Sequence, residues 1–284
     1  MINNKNIIPD LVAITGSHLY GTATPSSDID RRGFAVGTIN QILDIERFDQ
    51  YEDRINDTVI YSLRKFFNDL IRGNTQLLEV LFSEPEYITD AGRLVLDNRS
   101  LFISQHFYRN IRGFALAEFR KVKGVRLHIE ASTDKQTEAF HNFCSAFNLE
   151  RIDRQDIIDF VERVTGQKIT HEISNKPSMG EQRRSHIEQH GYSVKNASHA
   201  IRLLEQGIEL LSTGQLQFPR PTASKLLEIK RGMWSLEQVE NEYNRLNKQL
   251  ELIKNESKLP EKPNIVEINR LYKRIVMERL CNDS

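Results

Sequence analysis

Asp28 and Asp30 stand one residue apart in the stretch ITGSHLYGTATPSSDIDRRGFAVG, residues 14–37, with Gly16 and Ser17 shortly upstream. If the two aspartates open a strand they share a face, because strand side chains alternate with period two, and their carboxylates become close neighbours. Like charges so placed raise one another's pKa unless something positive sits between them. A divalent cation is the usual solution, and Mg²⁺ in particular is held by a few carboxylates together with substrate phosphates. The competing reading of a bare Asp-x-Asp is a turn in which Ser27 and Asp28 cap a loop and Asp30 is merely exposed.

Apolar, partly β-branched runs flank the pair, LVAI before it and GFAVG after it, so the stretch reads as strand, short helix, strand. Gly16 and Ser17 follow directly on the first strand, and SHLYG is long enough for about one helical turn. Backbone N–H groups and the Ser17 hydroxyl would then face an anion at a helix N-terminus. A phosphate cradle followed by paired carboxylates suits metal-assisted transfer of a nucleotidyl group from a nucleoside triphosphate: the turn grips the outer phosphates and the carboxylates hold the metal. On an alternating strand Arg32 shares the face of Asp28 and Asp30 while Arg31 points away, so Arg32 is expected to contact phosphate or buttress the carboxylates.

The order of an apolar strand, Gly-Ser, a ten-residue spacer and Asp-Ile-Asp resembles the signature of the DNA polymerase beta-like nucleotidyltransferase superfamily. The longer form GSHLYGTATPSSDIDRRG is similar more particularly to the predicted nucleotidyltransferases associated with RNA repair pathways in bacteria and phages. Two further segments carry the same likeness, YSLRKFFNDLIRGNTQLLEVLFSEP at 61–85 and GYSVKNASHAIRLLEQGIELLSTG at 191–214, and together they spread it over most of the chain. The resemblance implies an α+β fold, with a polymerase beta-like core of small mixed sheet and helices followed by a mainly helical domain. It also implies ATP or another NTP as substrate and two Mg²⁺ ions, with Mn²⁺ as a substitute.

Superfamily members typically carry a third acid on a strand after the Asp-x-Asp strand, and two residues qualify. Asp57 begins DTVIYS, where its alternative role is a strand-opening turn with Asn56. Glu79 lies inside the apolar run LLEVLF, where an acid is costly to bury unless it is paired, hydrogen-bonded or bound to metal. A salt bridge from Glu79 to Arg64 or Lys65, or simple exposure on a sheet edge, is its alternative. Burial favours Glu79, chain order favours Asp57, and both are kept as catalytic and metal-ligating candidates beside Asp28 and Asp30.

Lys195, His199 and Arg202 recur at i, i+4 and i+7 and form one helical stripe. Helical partners in the superfamily commonly lend side chains to the nucleotide, so the stripe joins Gly16, Ser17 and Arg32 as a nucleotide-binding candidate, with a solvated polar face as its alternative. Residues 108–126 interleave Arg109, Arg112, Arg120, Lys121, Lys123 and Arg126 with aromatics, a composition able to track a phosphate backbone. Phe114 and Phe119 are expected to face the core there, and an ordinary amphipathic helix would show the same pattern.

Composition bounds these readings. The 284 residues can bury a sizeable core, and 39 basic residues balance 39 acidic ones, so no global field draws the chain to nucleic acid or to an anionic membrane. Cys144 and Cys281 lie far apart without metal-binding spacing. No apolar run approaches a membrane span, and the start MINNKNIIPD has no hydrophobic signal core, which together predict a cytoplasmic protein. Strand and helix mix up to about residue 90, giving a catalytic core at 1–90. Residues 91–284 read as a helical domain with a mobile insertion around 130–190. The expected activity is transfer of an NMP from an NTP to an acceptor hydroxyl with release of pyrophosphate, the acceptor being an RNA 3′ end such as that of a tRNA. Modification of a protein or small molecule, or a non-catalytic nucleotide- or RNA-binding regulator, are the alternatives.

Overall fold

A computed structural model of the chain describes residues 7–43, 48–122 and 181–282. Its strands all fall before residue 90. β1 (Leu11–Ile14), β2 (Arg31–Ala35), β3 (Gln50–Asp53), β4 (Thr58–Ser62) and β5 (Pro85–Ile88) make one sheet in the order β3-β4-β2-β1-β5. β2 and β4 run parallel and the other neighbours antiparallel, so the sheet is mixed. Every described element after β5 is helical. This is the architecture of a polymerase beta-like core followed by helices.

Helices α1 (Gly16–Tyr20), α2 (Ile39–Leu43), α3 (Leu63–Ile71), α4 (Thr75–Val80) and α5 (Asp90–Asp97) are interleaved with the strands or follow them. α3 starts where the Ser62 hydroxyl accepts the Lys65 N–H, and it buries Leu63, Phe66, Phe67 and Leu70, the i, i+3, i+4, i+7 face of an amphipathic helix. Phe66 meets Phe34 of β2 at 5.0 Å between ring centroids, and Phe67 meets Phe102 at 4.9 Å, so this face builds the core beneath the sheet. The run LLEVLF is not a strand. Asn74 caps it by accepting the N–H groups of Gln76 and Leu77, and that cap turns Leu77–Val80 into the short helix α4. Glu79 therefore belongs to a helix, and any strand position for it is ruled out.

The later helices are α6 (Phe107–Arg120), α7 (Glu181–His190), α8 (Val194–Thr213), α9 (Ala223–Lys230), α10 (Leu236–Glu256) and α11 (Ile265–Asn282). α8 is buried on nearly all sides, which makes it the axis of the helical part. Lys225 of α9 pairs with Glu205 of α8 and with Glu242 of α10, 2.8 Å away in the latter case. Hydrogen bonds from Arg245, and then from Lys225, pull the Glu242 carboxyl down to about 2, against the opposing effect of burial. α11 is tied to the sheet by Arg279, which donates to the buried Asp10 carboxylate at 2.5 Å. The other Asp10 oxygen accepts the Val36 N–H at 2.7 Å.

Compactness divides the chain into two units, one of residues 1–119 with 194–284 and one of residues 120–193. Residue 90 thus marks where the described strands stop, whereas α8 to α11 group with the sheet in one unit. Most of the segment 130–190 expected as an insertion lies outside the described residues, and its described end, from 181, is helix α7.

Candidate active site

Strand register assembles the site. Ile14, the last residue of β1, stands opposite Arg31, the first of β2, and Arg31 in turn pairs with Thr58, the first of the parallel strand β4. The end of β1 and the beginnings of β2 and β4 therefore lie side by side at one end of the sheet. Whatever precedes or follows them must meet there: Gly16 and Ser17 after β1, Asp28 and Asp30 before β2, Asp57 before β4. Backbone hydrogen bonds fix the meeting, with the Thr15 N–H donating to the Asp30 carbonyl at 2.8 Å and the Arg31 N–H to the Asp57 carbonyl at 2.9 Å. The two aspartates stand just ahead of β2 rather than within it. The hydroxyl run before them makes its own turn, the Ser27 N–H donating to the Thr24 carbonyl and the Thr24 N–H to Ser27 Oγ, both at 2.9 Å.

Asp30 is half-buried and its carboxyl is pushed up, first by burial. Among the charges acting on it, Arg32 lowers it most, Asp57 and then Asp28 raise it, and Lys195 lowers it. So both neighbouring carboxylates reach Asp30, and Asp57 reaches it more strongly than Asp28. Asp57 adopts φ +44°, a left-handed conformation uncommon outside glycine, although aspartate tolerates it better than most residues. Gly16 lies on the other side, at φ +67°, and a Cβ there would collide with Asp30 Oδ2. Only glycine admits the carboxylate so close to the turn. Asp28 and Asp57 each raise Asp30, and the three carboxylates offer hard oxygen donors of the kind that suits Mg²⁺ or Mn²⁺. Among the described residues no group of three or more acidic, histidine or cysteine side chains is placed so that it could hold a metal ion as it stands.

Cations line the same place. Arg32 is half-buried, with a guanidinium nitrogen 3.5 Å from the Tyr61 hydroxyl, and its charge acts on Asp30. Arg31 points away and pairs with Glu86 at 2.7 Å. Lys195 is exposed at the start of α8. Lys230, at the end of α9, donates to the Thr22 carbonyl at 2.9 Å. Burial and then the charge of Lys195 push its ammonium down. Nothing in the local sequence singled out Lys230, because only the packing of α9 brings it to the loop after α1.

The stripe Lys195, His199, Arg202 divides three ways. Lys195 acts on Asp30. His199 Nδ1 lies 3.5 Å from Glu118 Oε2 on α6. Arg202 is buried, and its guanidinium donates to Glu79 Oε1 at 2.8 Å. Glu79 also accepts from Tyr20 Oη at 2.6 Å and from Gln206 Nε2 at 3.1 Å, so its burial is satisfied by partners without a metal. Arg64 and Lys65, the pairing partners weighed for it above, bind Asp49 and Asp69 instead. Tyr20 and Gln206 were missed from sequence. Gln206 did carry a signal, being four residues beyond Arg202 on the same helical face.

In α6, Arg109, Arg112 and Arg120 are exposed as expected, and Phe119 stacks on Tyr243 with centroids 3.7 Å apart. Phe114, expected in the core, is 52% exposed. Lys123 and Arg126 lie outside the described residues.

Residues 7–155, a little over half of the chain, match the RNA repair pathway DNA polymerase beta family (RlaP). The chain belongs to that family, whose members are polymerase beta-like nucleotidyltransferases of RNA repair. It is also similar to an uncharacterized 38.9 kDa protein in the nrdC-mobD intergenic region of Enterobacteria phage T4, at 26% identity, with 76% of this chain and 81% of the phage protein covered. No solved structure matches. No helix among the described residues is long and apolar enough to cross a membrane.

Proposed function

We propose that the protein transfers a nucleoside monophosphate from an NTP to the 3′ hydroxyl of an RNA and releases pyrophosphate. The observation that carries this reading is the meeting of Gly16 and Ser17 with Asp28, Asp30 and Asp57 at one end of the sheet, with the charge of Lys195 reaching Asp30. The acceptor oxygen attacks the α-phosphorus, the bond from that phosphorus to the oxygen bridging it to the β-phosphate breaks, and pyrophosphate leaves. Asp28, Asp30 and Asp57 would hold two Mg²⁺ ions. When bound, such ions stabilise charge on the α-phosphate and the leaving group and lower the pKa of the attacking hydroxyl. Gly16 and Ser17 present the turn to the outer phosphates, and Arg32, Lys195 and Lys230 offset the negative charge there. The proton of the acceptor hydroxyl passes to an exposed carboxylate of the set, Asp57 or Asp28.

Purified protein incubated with each α-phosphate-labelled NTP, Mg²⁺ and separate pools of RNA, protein and metabolites tests this directly. Label is expected on RNA 3′ ends. Label on protein or metabolites would reassign the acceptor, and no label anywhere would leave a binding protein. Within the same assay Lys195→Ala is expected to raise KM for NTP about tenfold with little change in kcat, since it removes a point charge from a phosphate site. An unchanged KM would return Lys195 to a solvated helix face.

A further inference from the structure

The cluster of Tyr20, Glu79, Arg202 and Gln206 joins the turn that carries Gly16 and Ser17 to helix α8. Glu79 is the hub, with side-chain exposure of only 5%, and it uses both oxygens: Oε2 accepts from Tyr20, while Oε1 accepts from Arg202 and Gln206. Arg202 donates to Gln206 Oε1 at 2.5 Å, and its guanidinium lies 3.8 Å from the centroid of the Tyr20 ring, within cation–π range. Tyr20 is therefore held at its tip by a carboxylate and across its face by a cation. Burial, reinforced by the Glu79 charge and opposed by Arg202, raises the Tyr20 hydroxyl, so it remains a donor at any physiological pH.

Tyr20 is the last residue of α1, and Gly16 is the first. At the Tyr20 end the helix is also pinned through its backbone. The Arg220 N–H donates to the Tyr20 carbonyl at 3.1 Å, and Gly21, at φ +72°, packs so that a Cβ would come within 3.0 Å of Pro219. At the Gly16 end the chain touches Asp30. A single helical turn is stiff, so its position at Gly16 follows from where Tyr20 is held. Arg32 acts electrostatically on both Tyr20 and Asp30, so the cluster and the carboxylate share a charged neighbour.

We propose that Tyr20, Glu79, Arg202 and Gln206 are positioning residues: they set the Gly16–Ser17 turn against Asp30 from the helical side, and they contact neither metal nor nucleotide. A buried ion pair adds little net stability compared with apolar packing, so its value here lies in fixing one geometry. This inference rests on the functional reading above only for its kinetic consequence. The clamp itself is a structural claim.

Tyr20→Phe tests it, because the ring and its stacking survive while the hydrogen bond to Glu79 is lost. Amide exchange is read at Thr15, Gly21 and Thr22, whose N–H groups donate to the carbonyls of Asp30, His18 and Ser17. Exchange at these amides is expected to accelerate about tenfold while that of α8 stays unchanged, and kcat for nucleotidyl transfer is expected to fall about tenfold with KM for NTP within about twofold. Arg202→Lys, which keeps the charge but loses the planar fork, should give the same pattern. If Arg202→Lys does not fold, Tyr20→Phe decides alone. Unchanged exchange at all three amides, or acceleration spread through α8, would overturn the clamp, and faster exchange with unaltered kcat would overturn its role in positioning the turn for transfer. Wild-type protein that transfers no label from any NTP would instead sink the functional reading, and the exchange measurement would still decide the clamp.

Discussion

Asp30→Asn is expected to abolish nucleotidyl transfer, by about three orders of magnitude or more, because it removes the carboxylate that approaches Gly16 and on which Asp57 and Asp28 act. Asp28→Asn is expected to do the same. Thermal unfolding supplies a second readout that does not depend on turnover. Asp30 has a raised pKa in the folded protein, so between its unfolded and folded pKa values the folded state binds more proton than the unfolded one. Stability is then lost as pH rises through that window and regained as pH falls through it. The metal-free Asp30→Asn protein should accordingly melt higher than wild type at pH 7, with the gap closing as pH drops to the ordinary carboxylate range. Wild type should gain melting temperature on addition of Mg²⁺, and the variant should not. Full transfer activity in Asp30→Asn or in Asp28→Asn, or an undiminished Mg²⁺ response, would remove the metal site from the mechanism.

The second large effect separates the two candidates for the third acid. Asp57→Asn is expected to cost about a thousandfold in kcat and to leave the melting temperature nearly level, since Asp57 is exposed and its carbonyl, not its side chain, receives the Arg31 N–H. Glu79→Gln is expected to behave in the opposite way. It leaves the Arg202 guanidinium buried without its counter-charge, which costs on the order of 3 kcal/mol of stability, and it lowers kcat only about tenfold through the loosened turn. The dependence of rate on Mg²⁺ concentration divides them further, with the midpoint shifted in Asp57→Asn and held in Glu79→Gln. If Glu79→Gln moved the Mg²⁺ midpoint while Asp57→Asn did not, the roles given to the two acids would have to be exchanged.

Much of this site is legible along the chain because its parts are local. Gly16-Ser17, Asp28-x-Asp30 and the flanking apolar runs lie within one strand–helix–strand unit, whereas the aspartates precede β2, so strand alternation separates Arg31 from Arg32 but does not itself place the aspartates. The helices at 194–213, 236–256 and 265–282 were equally readable, since long amphipathic periodicity needs no partner to be recognised. Glu79 was harder, because an acid in an apolar run announces only that burial must be compensated, and the compensation comes from residues 59 positions upstream and 123 downstream. Six residues capped by an asparagine are also too few for periodicity to separate helix from strand, which is why α4 resisted a reading from its composition.

The residue types able to do the chemistry, the strand–helix–strand unit that carries them and the family are all written in local order along the chain. Their neighbours in space are not. The parallel pairing of β2 with β4 brought Asp57 beside Asp30, and the packing of α9 brought Lys230 to Thr22. The packing of α8 split one helical stripe into a lysine whose charge reaches Asp30, a histidine on Glu118 and a buried arginine on Glu79. The physical reason is that helical spacing fixes only which side chains share a face. What that face meets is set by contacts between segments far apart in the chain, through register and packing that no local pattern encodes.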